Sequence, residues 1–237
     1  MILVALATYN ERENLPPLVA EIRTHLPDAD VVVVDDASPD GTGHWCDEFA
    51  AANPWFTVIH RPGKLGLGSA TWAAMQLAIE RQCEAIVTLD ADWSHPPEVL
   101  PQLVAALAHA DVAIGSRYCA GGGIKGWSLP RRILSRGMNA ATRLALGLPV
   151  RDSSGACRAY RIALVELVDF SKLTATGYAY LEEILWQLAQ LGARFAEVPI
   201  TFADRRSGAS KVHAGEALGK ARVLARLAWQ RFVGSRR

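Results

Sequence analysis

Short apolar runs separated by longer amphipathic stretches set the rhythm of the first half of this 237-residue chain. Ile2–Ala7, Val31–Asp35, Thr57–His60, Ala85–Leu89 and Val112–Gly115 are such runs, most of them holding β-branched residues, and they read as buried strands. Between them, segments near 13–26, 43–52, 66–82 and 97–109 carry helical patterns. Strand and helix in alternation imply parallel strands with right-handed crossovers, so the sequence predicts an open, mostly parallel α/β sheet flanked by helices. Ligands of such sheets bind beyond the carboxyl ends of the strands. The polar clusters fall there: Thr8-Tyr9-Asn10-Glu11, Asp35-Asp36 and Asp90-Ala91-Asp92.

Beyond Arg117 the pattern changes. Residues 119–130, rich in glycine and closing on Pro130, read as a mobile loop, and a basic helix follows from Arg131 to about Leu146. Helical stretches near 162–168 and 178–191 precede a strand at Phe195–Phe202. A last helix, from about 212 to 233, gathers Leu218, Ala221, Leu224, Ala225, Ala228, Trp229 and Phe232 on one face, with Lys220, Arg222, Arg226 and Arg231 on its flanks and back. Such a face serves core packing or interfacial membrane docking. The chain divides into residues 1–210 and a basic helix, 211–237, belonging to the same domain.

Composition narrows the class. Half the residues are apolar and 21% are charged, as in ordinary globular proteins. The longest uncharged run, Leu65 to Ile79, is too short and too polar to span a bilayer. A strand begins at residue 2, so the expectation is a protein without a signal peptide, residing in the cytoplasm. Cys46, Cys83, Cys119 and Cys157 form no Cys-x-x-Cys pair and read as reduced, mostly buried thiols. The net charge of +1 hides an asymmetry: residues 1–98 carry 15 acidic and five basic side chains, whereas 205–237 carry nine basic and one acidic. An acidic front half suits a divalent cation, and a basic tail suits phosphate or an anionic membrane surface. The basic residues lack interleaved aromatics and the front half would repel a phosphate backbone, which excludes nucleic acid as a partner.

Candidate chemistry concentrates in a few segments. Asp90 and Asp92 follow a buried strand, and hard carboxylate oxygens of this kind suit Mg²⁺ or Mn²⁺ bound jointly with substrate phosphates. Val32 through Asp36 puts two acids at a strand end, and Ser38-Pro39-Asp40-Gly41 makes a turn on local grounds. Gly66-Leu67-Gly68-Ser69-Ala70 opens a helix without the lysine of a phosphate loop, so its small residues serve close packing. The first strand–helix turn has no Gly-x-Gly-x-x-Gly, against a dinucleotide-binding enzyme. Arg117 lies just past the fifth strand, Arg131 and Ser135 sit four apart on one helix face, and Arg205 and Lys211 bracket Ser207-Gly208-Ala209-Ser210. Guanidinium forks match phosphate oxygens.

Together these blocks resemble the polyprenol (dolichol) phosphate mannose synthases, inverting glycosyltransferases of family 2 with the GT-A fold. The resemblance rests on Ala7-Thr8-Tyr9-Asn10-Glu11, Val33-Val34-Asp35-Asp36 with Ser38 to Thr42, and Leu89-Asp90-Ala91-Asp92-Trp93-Ser94-His95-Pro96. It continues through Gly115-Ser116-Arg117-Tyr118, Trp127 to Asn139, Asp152-Ser153-Ser154-Gly155 with Arg158, Gly177-Tyr178, and Val198-Pro199-Ile200 leading to Asp204-Arg205 and Ser210-Lys211. Ala7 stands where a proline is common, Cys157 replaces an aromatic residue, and Leu181 replaces a glutamine; no hydrophobic transmembrane region follows the catalytic part.

The resemblance implies GDP-mannose as sugar donor and a polyprenyl monophosphate as acceptor, met by a protein peripheral to the cytoplasmic face of the membrane. It leaves room for a membrane-anchoring partner protein. Ala7, Tyr9, Glu11, Val33 and Asp35 would cradle the nucleoside, with Asp90 near the metal. Asp90, Asp92 and Ser94 would bind Mg²⁺ or Mn²⁺. Arg117, Arg131 and Ser135 would orient the acceptor phosphate, and Arg205 and Lys211 would close over the diphosphate. Asp92, Arg117, Arg131 and Ser135 are the expected catalytic set. His95 is the nearest candidate base, though a structural hydrogen bond is the favoured role. Transfer of glucose or another hexose from a UDP-sugar to undecaprenyl phosphate keeps the same mechanism. A non-catalytic nucleotide-sugar-binding partner of a membrane complex is a third reading, opposed by the intact Asp90, Asp92, Arg117 and Arg131.

Overall fold

The computed structural model describes residues 1–175, 177–204 and 214–234, apart from the side chains of 214–218 and 234. Five strands and four helices alternate through the first half: β1 (Ile2–Thr8), α1 (Leu15–His25), β2 (Asp30–Asp35), α2 (Thr42–Ala52), β3 (Phe56–His60), α3 (Leu67–Glu80), β4 (Ala85–Asp90), α4 (Leu100–Ala106) and β5 (Val112–Ser116). There follow β6 (Gly123–Ile124), α5 (Leu129–Leu146), β7 (Arg158–Arg161), α6 (Ile162–Val165), α7 (Tyr180–Gln190), β8 (Phe195–Pro199), β9 (Thr201–Phe202) and α8 (Ala214–Gly234).

The main sheet has seven strands in the order β3-β2-β1-β4-β7-β5-β8. All its pairings are parallel except those of β7, which runs antiparallel to both β4 and β5. Strands covered on both faces must be apolar on both, and β1 and β2 are. Leu3, Ala5, Val32 and Val34 face a core formed with α3, α6, α7 and α8. Val4, Leu6, Val31 and Val33 face a second core with α1, α2 and α4. In α1 the prolines occupy the first turn, where no helical partner is lost, and Leu15, Leu18, Val19 and Ile22 form its buried stripe.

Four segments depart from the sequence reading. The strand β7 was not expected, because the charged Arg158 and Arg161 at its ends mask a four-residue alternation. Residues 119–130 hold β6, which pairs with β9 in a two-stranded sheet. The single strand expected over Phe195–Phe202 is two: β8 pairs with β5, and past Pro199 the chain leaves that sheet to pair with β6. α5 begins at Leu129, two residues early, since Pro130 fits a first helical turn.

α8 lies against α5 and α7. Leu227 is buried there, with Val223, Leu224 and Ala228 packed against the core, whereas Trp229 and Phe232 stay exposed at 67% and 52%. The apolar face of this helix therefore divides between packing and solvent. Among the described residues no helix is long and apolar enough to cross a membrane.

Leu103, fully buried between α4 and the sheet, should cost about 2–5 kcal/mol on truncation to alanine. Leu167→Ala, at a site 64% exposed, should stay within about 0.5 kcal/mol of wild type. Urea unfolding compares the two, and equal midpoints would contradict this placement of the core.

Candidate active site

The loops after β1, β2 and β4 meet on one side of the sheet, and each contains a non-glycine residue with left-handed backbone: Asn10 (φ 61°), Ala37 (φ 54°) and Trp93 (φ 64°). Side chains lace these loops together. The Asp35 carboxylate accepts from Thr8 Oγ1 at 3.1 Å and from the Ser38 N–H at 3.0 Å. Asp40 accepts from the N–H groups of Arg12 and Thr42, both at 3.0 Å, and Thr42 Oγ1 accepts from the Glu11 N–H at 3.1 Å. Asp36 pairs with the buried Arg61 and accepts from the N–H groups of Leu65 and Gly66 at 3.1 and 3.3 Å. One strand-end carboxylate thus builds the loop before α2, and the next builds the loop before α3.

A cavity of about 640 Å³ opens over these strand ends. Ala7, Tyr9 and Glu11 line it from the β1 side, Asp36 from β2, and Asp90 and Asp92 from β4. Lys64 reaches its wall with the ammonium 4.7 Å from the Tyr9 ring centre. Its far side is formed by Thr174, Ala175, Tyr178 and, from α8, Lys220. The volume is that of an ordinary small-molecule site. Gly68 must be small for packing: a Cβ there would meet Tyr180 Cβ at 2.7 Å and the Ala175 carbonyl at 2.8 Å.

Several expected residues sit elsewhere. Val33 is fully buried in the second core and does not line the cavity. Asp35 acts through the loop it braces, and Asp36 takes the place beside the cavity. Ser94 lies beneath Asp92, donating its N–H to Asp92 Oδ1 at 3.0 Å; at 1% exposure it is not a lining residue. Its hydroxyl is 3.4 Å from His95 Nδ1. Burial lowers the pKa of His95 to about 4 against the opposing charge of Asp92, with Arg117 adding to the drop, so its imidazole is neutral at physiological pH. Arg205 and Lys211 lie outside the described residues.

Beside the large cavity is a pocket of about 180 Å³ lined by Arg131 and Ser135, with Asn139, Ser154 and Glu182 at its base. The Arg131 guanidinium stands 3.9 Å from the Trp127 ring centre and 3.7 Å from Asp204 Oδ1. Ser135 Oγ is 2.7 Å from Tyr118 Oη. Arg117 lines neither space. It is buried against the rings of Tyr118, Trp127 and Phe202 and donates through Nε and Nη2 to Asp152 at 2.7 and 2.6 Å, and to Ser154 Oγ at 2.7 Å. Asn139 ties α5 to the same loop, donating to Ser154 Oγ and accepting from the Ser153 N–H. Behind the pocket, the buried Glu183 accepts the N–H groups of Thr174 and Ala175 at 3.0 and 2.8 Å and pairs with Arg226, while Glu182 pairs with Lys220.

Sequence reading missed Asp36, Lys64, Tyr178, Glu182 and Lys220 as site residues. Asp36 was visible as one of two acids at a strand end, and only the folded chain decides which one lines the cavity. Nothing in the sequence brings residue 182 to residue 220.

A mostly parallel sheet with paired carboxylates at its central strand end, opening on a nucleotide-sized cavity, is the architecture of a GT-A glycosyltransferase. The chain belongs to glycosyl transferase family 2, whose family model matches residues 3–168. It is 42% identical over 214 residues to the undecaprenyl-phosphate mannosyltransferase of Micrococcus luteus, covering 90% of this chain and 88% of that protein. It is 42% identical over 212 residues to the polyprenol monophosphomannose synthase of Mycolicibacterium smegmatis, covering 89% and 80%. Among solved structures, it is similar to glucosyl-3-phosphoglycerate synthase from Mycobacterium tuberculosis in complex with Mn²⁺, uridine diphosphate and glucosyl-3-phosphoglycerate. That likeness has a TM-score of 0.64 at 22% identity over 98% of this chain and 79% of that one, and it concerns the fold.

Burial alone would raise the Asp152 carboxyl, but the hydrogen bonds and charge of Arg117, with Arg158, outweigh it and hold the carboxyl below its ordinary 3.8. Stability from this pair is therefore complete above about pH 4 and is lost as pH falls through the lower folded value. Asp152→Asn should cost about 3 kcal/mol at pH 7, because it strips a buried guanidinium of its counter-charge. Below about pH 4 the wild-type stability should fall more steeply than the variant's. Parallel pH profiles of unfolding would contradict the assignment.

Proposed function

We propose that this glycosyltransferase moves mannose, with inversion, from GDP-mannose to the phosphate of a polyprenyl (dolichyl or undecaprenyl) monophosphate, giving polyprenyl phosphate β-mannose. The observation that carries this reading is the pair of adjoining spaces: a nucleotide-sized cavity over two strand-end carboxylates, and beside it a cationic pocket with Arg131 and Ser135. The names of the two bacterial relatives support the sugar and the class of acceptor.

In this reading Ala7, Tyr9 and Glu11 hold the nucleoside end, on a loop that Asp35 braces from below and that Val33 supports from within the core. Asp36 joins them at the cavity wall. With Asp36 paired to Arg61 and Lys220 to Glu182, the wall sets Glu11, Asp90 and Asp92 against Lys64, an acidic balance that would repel a diphosphate. A divalent cation removes that conflict. Asp90 and Asp92 offer the hard oxygens that Mg²⁺ or Mn²⁺ prefers. Bound there, the ion would stabilise the departing nucleoside diphosphate. Ser94 would fix the Asp92 carboxylate rather than touch the ion. Mn²⁺ is present in the M. tuberculosis structure of the same fold.

The acceptor supplies its own nucleophile. A phosphate monoester has a second pKa of about 6 and is largely dianionic at neutral pH. One phosphate oxygen bonds to the anomeric carbon as the bond from that carbon to the diphosphate oxygen breaks, the leaving oxygen keeping the electron pair. No proton has to be removed, in keeping with an enclosed His95 whose lowered pKa makes it a weak base. Arg131 and Ser135 orient the acceptor phosphate, and Arg117 holds the loop through which Ser154 reaches the same pocket. Arg205 and Lys211 are assigned to the diphosphate. Positioning and charge neutralisation supply the rate.

A lipid acceptor has to be reached at a bilayer surface. Leu129, Ile133, Leu134, Met138 and Leu144 of α5 and Trp229, Phe232 and Val233 of α8 are exposed, as are Arg131, Arg132, Arg136, Arg143 and Arg231 of the same two helices. The two helices touch, with Arg231 donating to the carbonyls of Leu144 and Ala145 at 2.8 and 3.1 Å. Exposed apolar side chains and arginines suit the headgroup region of an anionic leaflet, which supports a peripheral position at the cytoplasmic face of the membrane.

Radiolabel is expected to pass from GDP-mannose, and not from UDP-glucose, to a short polyprenyl phosphate in the presence of Mn²⁺. Asp92→Ala should lower that rate by about 100-fold or more. Transfer from UDP-glucose alone would keep the mechanism and overturn the sugar. Replacing Trp229 and Phe232 by serine should weaken binding to anionic vesicles about tenfold while GDP binding is unchanged. Equal loss of both would mean that these side chains serve the fold.

A further inference from the structure

The two spaces of the site meet at one side chain. Among the described residues, Lys220 of α8 alone lines both the large cavity over Asp90 and Asp92 and the smaller pocket with Arg131 and Ser135. Its ammonium pairs with Glu182 of α7, which is 1% exposed and lines the smaller pocket. An ammonium carries three N–H donors, and Glu182 takes one through Oε1. The other carboxylate oxygen, Oε2, is buried and has no hydrogen-bond partner among the described residues.

An ion pair kept only to join two helices would be an expensive choice. Two desolvated charges contribute little net stability, and apolar side chains of the same size would join α7 to α8 as well. What the pair does supply is a cation fixed at a boundary. The other cations lining these spaces each belong to one space and stand against a ring, Lys64 over Tyr9 and Arg131 over Trp127. A sugar passing from the large cavity to the small pocket has to cross beside Lys220, with one phosphate leaving and another arriving.

We infer that Lys220 is a phosphate-binding residue of the transfer reaction, contacting the anions where sugar donor and acceptor meet. Glu182 is the positioning residue that holds the ammonium there. The inference rests on the transfer reading above. The geometry uses the lysine's remaining donors, so Glu182 need not be abandoned when phosphate binds. Burial raises the Glu182 carboxyl, and the charge of Lys220 opposes that rise.

The test compares the full chain with K220M, K220R and the double variant E182Q/K220M, measuring thermal midpoint, kcat and KM for polyprenyl phosphate. K220M leaves a buried carboxylate uncompensated, so its midpoint should fall. E182Q/K220M removes both charges and should recover the midpoint, while its kcat/KM for the acceptor stays about 30- to 100-fold below wild type. K220R, which keeps the charge, should restore most of the rate. A double variant with wild-type kcat/KM would show that Lys220 only balances Glu182, leaving the transfer reading intact. Wild-type protein that moves no label from either sugar nucleotide would overturn the transfer reading and the lysine's role with it.

Discussion

A positive charge buried in the middle of the sheet is the constraint around which the molecule is organised. Arg158, on the antiparallel strand β7, has no exposed surface. Its guanidinium donates to the carbonyls of Ser153 and Leu181, both at 2.7 Å. A charge in that position is tolerable only if most of its hydrogen bonds are made; here both Nη atoms are bonded, and Nε is left without a partner among the described residues. Meeting them draws the 152–154 loop and the start of α7 to the same point. β7 in turn joins β4, which carries the paired carboxylates, to β5, which carries Arg117. The halves of the site keep their distance because one strand between them cannot shift without exposing or orphaning an arginine.

From that strand the chemistry divides by sign. The acid-rich half of the chain builds the large cavity, and the arginine-rich segments build the pocket beside it and the helices that flank it. The acids themselves divide further. Asp35, Asp40 and Asp152 are consumed in holding backbone and guanidinium groups in place, whereas Asp90 and Asp92 reach the cavity. A count of carboxylates in the sequence therefore overstates the charge that a ligand meets.

The parts legible in the sequence were those fixed by local pattern. β1 to β5 and α1 to α4 announce themselves because buried parallel strands are uniformly apolar and their helices are striped. Asp90, Asp92, Tyr9 and Glu11 were legible as polar residues at strand ends. β7 was not, since its two arginines find their partners only in the folded molecule. Choosing between Asp35 and Asp36 needed the folded end of β2, and Ser94 was expected as a ligand through the family resemblance alone, since sequence does not tell a hydroxyl beneath a carboxylate from one beside it. The contact of Glu182 with Lys220 spans 38 residues and exists only because α8 returns across α7.

The left-handed residues Asn10, Ala37 and Trp93 carry a consequence for how binding energy is used. Each such conformation costs on the order of 1–3 kcal/mol and persists only because its surroundings over-determine it. The ordering of these loops is therefore charged against folding, and an incoming nucleotide meets a surface that has little freedom left to lose. Glycine at these three positions would relieve backbone strain, as it would at Gln82, which does not line the cavity. Stability and ligand affinity thus draw on one reservoir, and a more thermostable descendant obtained by relaxing these turns would be a poorer binder for the same reason that it is a sturdier protein.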